Sequence, residues 1–161
     1  MKIKNLLCSI IAIVAVFCLN NAHAYILTKD IFVSKAWVQA MPPSQTTTAA
    51  YMTITNNSQR EAVLVSASSD SAGAVEIHQM SESNGMMNMM MVSDIHIPAQ
   101  GKVTLKPDGY HLMLINLKKP INKGDIITIS IHFQDGGTMV FKAEAKSQEA
   151  DDPSSMIGMK M

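Results

Sequence analysis

From Asp125 to Phe133 the chain alternates with a period of two. Ile127, Ile129, Ile131 and Phe133 point one way, and Thr128, Ser130 and His132 point the other. That pattern belongs to a strand with one buried face. Helical periodicity is weak everywhere else, so the chain must build its core from strands.

Other runs fit the same reading. Ile31 to Val38 mixes β-branched and aromatic residues, and Tyr51 to Thr55 alternates until the turn cluster Asn56-Asn57-Ser58. Glu61 to Ser66 forms the return strand. Val75 to Met80 alternates again, with Val75 and Ile77 on one face and Glu76, His78 and Met80 on the other. Ser83-Asn84-Gly85 is a turn signal, after which Met86 to Val92 runs back. Ile95 to Ile97, Lys102 to Leu105 and Tyr110 to Leu117 follow, separated by Pro98, Gln100-Gly101 and Pro107-Asp108-Gly109. Asp135-Gly136-Gly137 then turns the chain into Thr138 to Ala143. About eight or nine short strands with frequent turns predict an all-β antiparallel sandwich or barrel in a single domain.

The ends are set apart by composition. Lys2 and Lys4, the apolar run Leu6 to Leu19, and Ala22-His23-Ala24 make a secretory signal, cleaved after residue 24. The run is too short for an ordinary membrane-spanning helix. Phe17 stands before Cys18 where a lipid-attachment site has a small residue. Both cysteines, Cys8 and Cys18, leave with the signal, so the exported chain has no disulfide, no thiolate metal site and no cysteine nucleophile. Residues 25–146 form the domain. Residues 147–161 lose the alternation, include Pro153, and read as a flexible tail carrying Met156, Met159 and Met161.

Charge excludes one class of partner. The exported part holds 11 basic against 13 acidic residues and no basic patch, which argues against nucleic acid. Methionine is the compositional outlier. Met80, Met86, Met87, Met89, Met90 and Met91 fall within twelve residues. Alone, such a run reads as adaptable packing or a plastic binding surface. Here histidines flank it.

His78, Met89, His111 and Met113 are spaced His-X10-Met-X21-His-X-Met. His111 and Met113 share a face of one predicted strand. His78 and Met89 flank the turn at Ser83 to Gly85. A hairpin centred between Ser83 and Asn84 places them directly opposite; one centred between Asn84 and Gly85 favours Met91 instead. Two imidazoles with thioethers make a soft, uncharged ligand set suited to Cu(I) and poorly suited to zinc, magnesium or calcium. Thioethers form no disulfides in an oxidising compartment.

These residues carry a resemblance. Val75-Glu76-Ile77-His78, Gly85 with the Met run, Ile97-Pro98-Ala99, Pro107 to Leu114 and Gly124-Asp125 look like the periplasmic copper chaperones of the PCuAC family. The resemblance covers roughly residues 32–143. It implies a cupredoxin-like β-sandwich of Greek-key type, with one Cu(I) held by His78, Met89, His111 and Met113. It thereby picks Met89 from the Met run. It also implies delivery toward the Cu(A) centre of cytochrome c oxidase, with a Sco-type copper protein and the Cu(A)-bearing subunit as partners. The family often has glycine where Gln100 stands. Related proteins carry Met- or His-rich extensions, and the tail methionines are a candidate second Cu(I) site.

The function expected is therefore a soluble, monomeric periplasmic Cu(I) metallochaperone that passes its ion on by ligand exchange. Copper sequestration for tolerance is the related alternative. A blue-copper electron carrier is excluded by the absence of a cysteine ligand. No Ser-His-Asp pattern, zinc-protease motif or nucleotide loop suggests an enzyme. A secreted β-sandwich for adhesion is the alternative without metal. Around the site, Met80 and Met91 are candidate substitute ligands, and Glu76 is expected at the periphery. His96 is expected to bond locally beside Asp94, and His132 to be solvated. Trp37 and Tyr110 are expected as core or rim aromatics.

Overall fold

Ten strands carry the described residues, and no α-helix occurs among them. The computed structural model describes residues 29–83 and 85–147. The expected signal over residues 1–24, including Cys8 and Cys18, and Met156, Met159 and Met161 lie outside the described residues. The strands are β1 (Ile31–Gln39), β2 (Thr47–Asn56), β3 (Ala62–Ser68), β4 (Ala72–Ser83), β5 (Met86–Met91), β6 (Ile95–Ile97), β7 (Gly101–Leu105), β8 (Tyr110–Leu117), β9 (Ile126–Phe133) and β10 (Thr138–Lys146).

Seven of them close on themselves in the order β4-β8-β2-β1-β10-β9-β3, with β3 returning to β4. β5 hangs on β4, β6 on β3 and β7 on β2. The result is the expected all-β, cupredoxin-like single domain, with one strand more than the upper expectation. One pairing departs from the antiparallel rule: β1 runs parallel to β10 through Trp37↔Glu144 and Val38↔Ala145.

Alternation drives the closure. In β9, Ile127, Ile129, Ile131 and Phe133 are buried, as the period predicts. They meet Ile54 of β2, Leu64 of β3, Ile77 of β4 and Leu112 and Leu114 of β8 in one core. Each such side chain contributes about 1.5–3 kcal/mol when fully buried. β2 starts at Thr47 rather than Tyr51, because Thr47 to Ala50 pair with Leu112 to Ile115 of β8.

Buried Asn56 ends β2. Its amide nitrogen donates toward the carbonyls of Arg60 (2.7 Å), Ile97 (3.1 Å) and Pro98 (3.1 Å). Its amide oxygen accepts from the Ser58 N–H at 2.9 Å. One side chain thus ties the β2–β3 turn to the end of β6.

Candidate metal centre

β4 and β8 are paired so that His78 lies directly opposite His111, and Glu76 opposite Met113. All four therefore stand on one face of the sheet, while Ile77 and Leu112 between them enter the core. The imidazole centroids are 5.9 Å apart. His111 is 4% exposed, and the His78 side chain 13%.

The two rings are held differently. His78 has its Nε2 2.9 Å from Glu76 Oε2, so Nε2–H donates to the carboxylate. Its Nδ1 is buried and has no hydrogen-bond partner. An orphaned buried acceptor of this kind is costly unless something occupies it. His111 uses the other nitrogen: its Nδ1–H donates to the Gly109 carbonyl at 3.1 Å. The lone pair then sits on Nε2. These tautomers follow from the hydrogen-bond partners. Burial pushes the His111 imidazole below its ordinary value of 6.5; the Gly109 bond opposes this and nearby His78 adds to it. His111 is thus neutral at neutral pH, the form a metal requires.

A row of rings backs His111. A bulge in β1, where Lys35 takes φ 52°, shifts the register after Ser34 and sets Trp37 opposite Tyr51 of β2. The Trp37 and Tyr51 centroids are 4.5 Å apart, and Tyr51 is 6.3 Å from His111. Burial raises the Tyr51 phenol above its ordinary 10.0. Ala49 of β2 stands opposite Met113, so little bulk flanks that thioether.

On the other side of β4, the hairpin register answers the question that spacing left open. His78 faces Met91, Met80 faces Met89, and Ser83 faces Met86. Two positions remain for the turn, and the second, Gly85, has φ 73°. This is the hairpin centred between Asn84 and Gly85, so direct pairing of His78 with Met89 is not what forms. Met89 lies one step diagonally toward the tip, on the same face, about 7–8 Å from His78 by ordinary strand geometry and somewhat less between Cβ atoms. Met89 and Met91 are 52% and 66% exposed.

The remaining histidines lie elsewhere. His96 Nδ1 is 2.8 Å from Glu61 and its Nε2 3.4 Å from Asp94, with His96 and Glu61 exposed and Asp94 half-buried. Asp94 was foreseeable from proximity in sequence, whereas Glu61 arrives through the β3–β6 pairing. His132 is not merely solvated, since it bonds Ser68 Oγ (3.1 Å) and Thr138 Oγ1 (3.0 Å). Tyr51 was missed as a neighbour of His111, because no local signal joins β2 to β8. Among the described residues, no group of three or more histidine, cysteine, aspartate or glutamate side chains converges to hold a metal. Among the described residues, the strand pairings set the Met113 and Met91 thioethers and the Glu76 carboxylate beside His78 and His111, and Glu76 already accepts from Nε2–H.

Comparison with known proteins agrees with this fold. The model of the LpqE-like lipoprotein family matches residues 31–145. The lipoprotein-named Lxx21020 of Leifsonia xyli subsp. xyli (strain CTCB07) is 36% identical over 66% of this chain and 63% of its own length. RP573 of Rickettsia prowazekii (strain Madrid E) is 32% identical over 68% of this chain and 60% of its own. The chain thus spans less than two thirds of either relative. Among solved structures, that of Cu(I)-bound DR1885 from Deinococcus radiodurans is 38% identical, with TM-score 0.61, covering 80% of this chain and 84% of that one. The copper-bound PCuAC domain of PmoF2 shares the fold at 22% identity and TM-score 0.63, covering 78% of this chain and 98% of that one.

Proposed function

The chain belongs to the LpqE-like family, of the PCuAC type, and from that premise we propose that it is an exported Cu(I) carrier. His78, Met89, His111 and Met113 hold one Cu(I) as cargo. His78 binds through Nδ1 and His111 through Nε2. The thioethers keep the ion reduced, because soft neutral sulfur favours Cu(I) over Cu(II). The observation that carries this reading is the facing imidazole pair, one nitrogen of each ring held by a protein acceptor and the other left for a ligand.

Release follows from the same features. The histidines are shielded and fixed, whereas the Met-bearing strand lies on the open side. A recipient can displace Met89 first, then the imidazoles, with no change in oxidation state. By family resemblance the recipient is the Cu(A) centre of cytochrome c oxidase, with a Sco-type protein as companion; storage for tolerance uses the same chemistry. No enzymatic step is required.

We place the protein in the periplasm, released by cleavage after Ala24. The intact mass of the envelope-fraction protein tests this, since acylation at Cys18 would instead give a heavier, membrane-held species.

The carrier reading is tested by Cu(I) titration against a chromophoric chelator, with folded His111→Ala and Met89→Ala variants in parallel. One tight equivalent, weakened in both, supports it. No competition by the wild type, or equal binding by folded variants, leaves a metal-free secreted scaffold as the better account.

A further inference from the structure

The β4–β5 register puts more thioethers beside the histidines than one ion can use. Met80 faces Met89, Met91 faces His78, and all three stand on the face that bears His78 and His111. Met80 is half-buried, whereas Met89 and Met91 are exposed on the last strand of the sheet path. Directly opposed residues are about 5 Å apart at Cβ, and diagonal ones about 7–8 Å apart, somewhat less between Cβ atoms. A methionine side chain has three rotatable bonds and ends in a soft sulfur. Three such arms from these positions can meet on one ion outside the imidazole pair.

We propose that Met80, Met89 and Met91 form an outer, all-thioether Cu(I) site that loads the inner one. The inference rests on the carrier reading and adds an entry step to it. Met89 belongs to both sites, so the ion moves without being set free. Bonds from Cu(I) to the sulfurs of Met80 and Met91 break. Bonds to His78 Nδ1, His111 Nε2 and Met113 sulfur form, and the bond to Met89 is kept. No electron or proton is transferred. The outer site binds more weakly, because three neutral thioethers on an open ribbon are less basic and less preorganised than two fixed imidazoles. Met86 and Met90 alternate to the opposite face and take no part, and Met87 shares the face but stands opposite Glu82, a further step from the histidines.

The test uses protein recovered from the envelope fraction of its expression host. Cu(I) is titrated against a strong and a weak chromophoric chelator, and loading of the tight site is followed by stopped flow. Leucine keeps nearly the volume of methionine and costs little stability, so the Met80→Leu/Met91→Leu double variant is compared after a thermal melt. The expected result is a second, weaker equivalent in the wild type with sulfur-only scattering by X-ray absorption. The double variant loses that equivalent, keeps the tight one, and loads it more slowly. A second equivalent and loading rate unchanged in the variant overturn the outer site while leaving the carrier intact. Loss of the tight equivalent in the folded variant also overturns it, by moving Met80 or Met91 into the inner site. Absence of any tight equivalent in the wild type removes the carrier reading and this inference together.

Discussion

His78 and His111 face each other across β4 and β8 with opposite nitrogens engaged: Nε2 of His78 on Glu76, Nδ1 of His111 on the Gly109 carbonyl. The pair is chemically unsymmetrical although its backbone setting is symmetrical. One ring is steered by a half-exposed carboxylate and the other by a main-chain oxygen that no side-chain substitution removes.

Glu76 therefore fixes which nitrogen of His78 is free. Glu76→Leu is expected to leave the melting temperature nearly unchanged and to weaken Cu(I) binding by about 10–100-fold, the usual effect of losing a carboxylate behind a metal-binding histidine. Competition titration reads the affinity. Nitrogen NMR of the metal-free protein reads the tautomer, which should shift from Nε2–H toward a mixture.

The imidazoles should titrate on opposite sides of 6.5. Burial lowers His111 and the Glu61 hydrogen bond raises His96. For His111, between its folded value and 6.5 the unfolded chain holds more protons, so stability falls as pH drops through that window. For His96 the sign reverses: its contribution is complete below 6.5 and is lost as pH rises through its folded value. Proton NMR of the metal-free protein checks the order, and urea unfolding on either side of 6.5 checks the signs, with His96→Gln removing only the second effect.

Gly85 sets the hairpin register from a left-handed backbone conformation, φ 73°. Gly85→Ala has open space for its Cβ but a disfavoured backbone. The expected cost to the ribbon is about 1–2 kcal/mol. A slip of one position would turn the His78 partner face over. Cu(I) affinity should therefore fall more than global stability in denaturant melts.

Asn56 provides the opposite separation. Asn56→Ala removes a donor from the Ile97 carbonyl and the acceptor of the Ser58 N–H, and should destabilise by about 1–3 kcal/mol. It lies at the β6 end, so Cu(I) affinity of the folded fraction should be unchanged. Urea unfolding and competition titration on the same preparation check both.

Much of this architecture was legible locally. The Ile127 to Phe133 alternation and the turn residues around Pro107 and Gly136 report on neighbours a few positions away, and their elements formed where expected. The His-Met spacing on β8 was legible for the same reason. Thr47 to Ala50 were not, since small residues join a strand only when β8 lies beside them. The hairpin register turned on one position, which spacing in the sequence left open. Tyr51 beside His111, and Glu61 beside His96, arise from strand pairings between distant segments. Gln100 is an intermediate case: its φ of 53° explains why glycine suits the position, while its amide donates to the Asn57 and Ser58 carbonyls.

Trp37 is the chain's single tryptophan, and it leans on Tyr51, which in turn lies against His111. When an ion fills or leaves the position at His111 Nε2, the field beside the Tyr51 ring changes, and the indole senses that change from two rings away. The protein thus carries its own optical gauge. Its intrinsic fluorescence should track filling and emptying of the centre without label or chelator, so the transfer of cargo to a partner can be timed from the donor's own light.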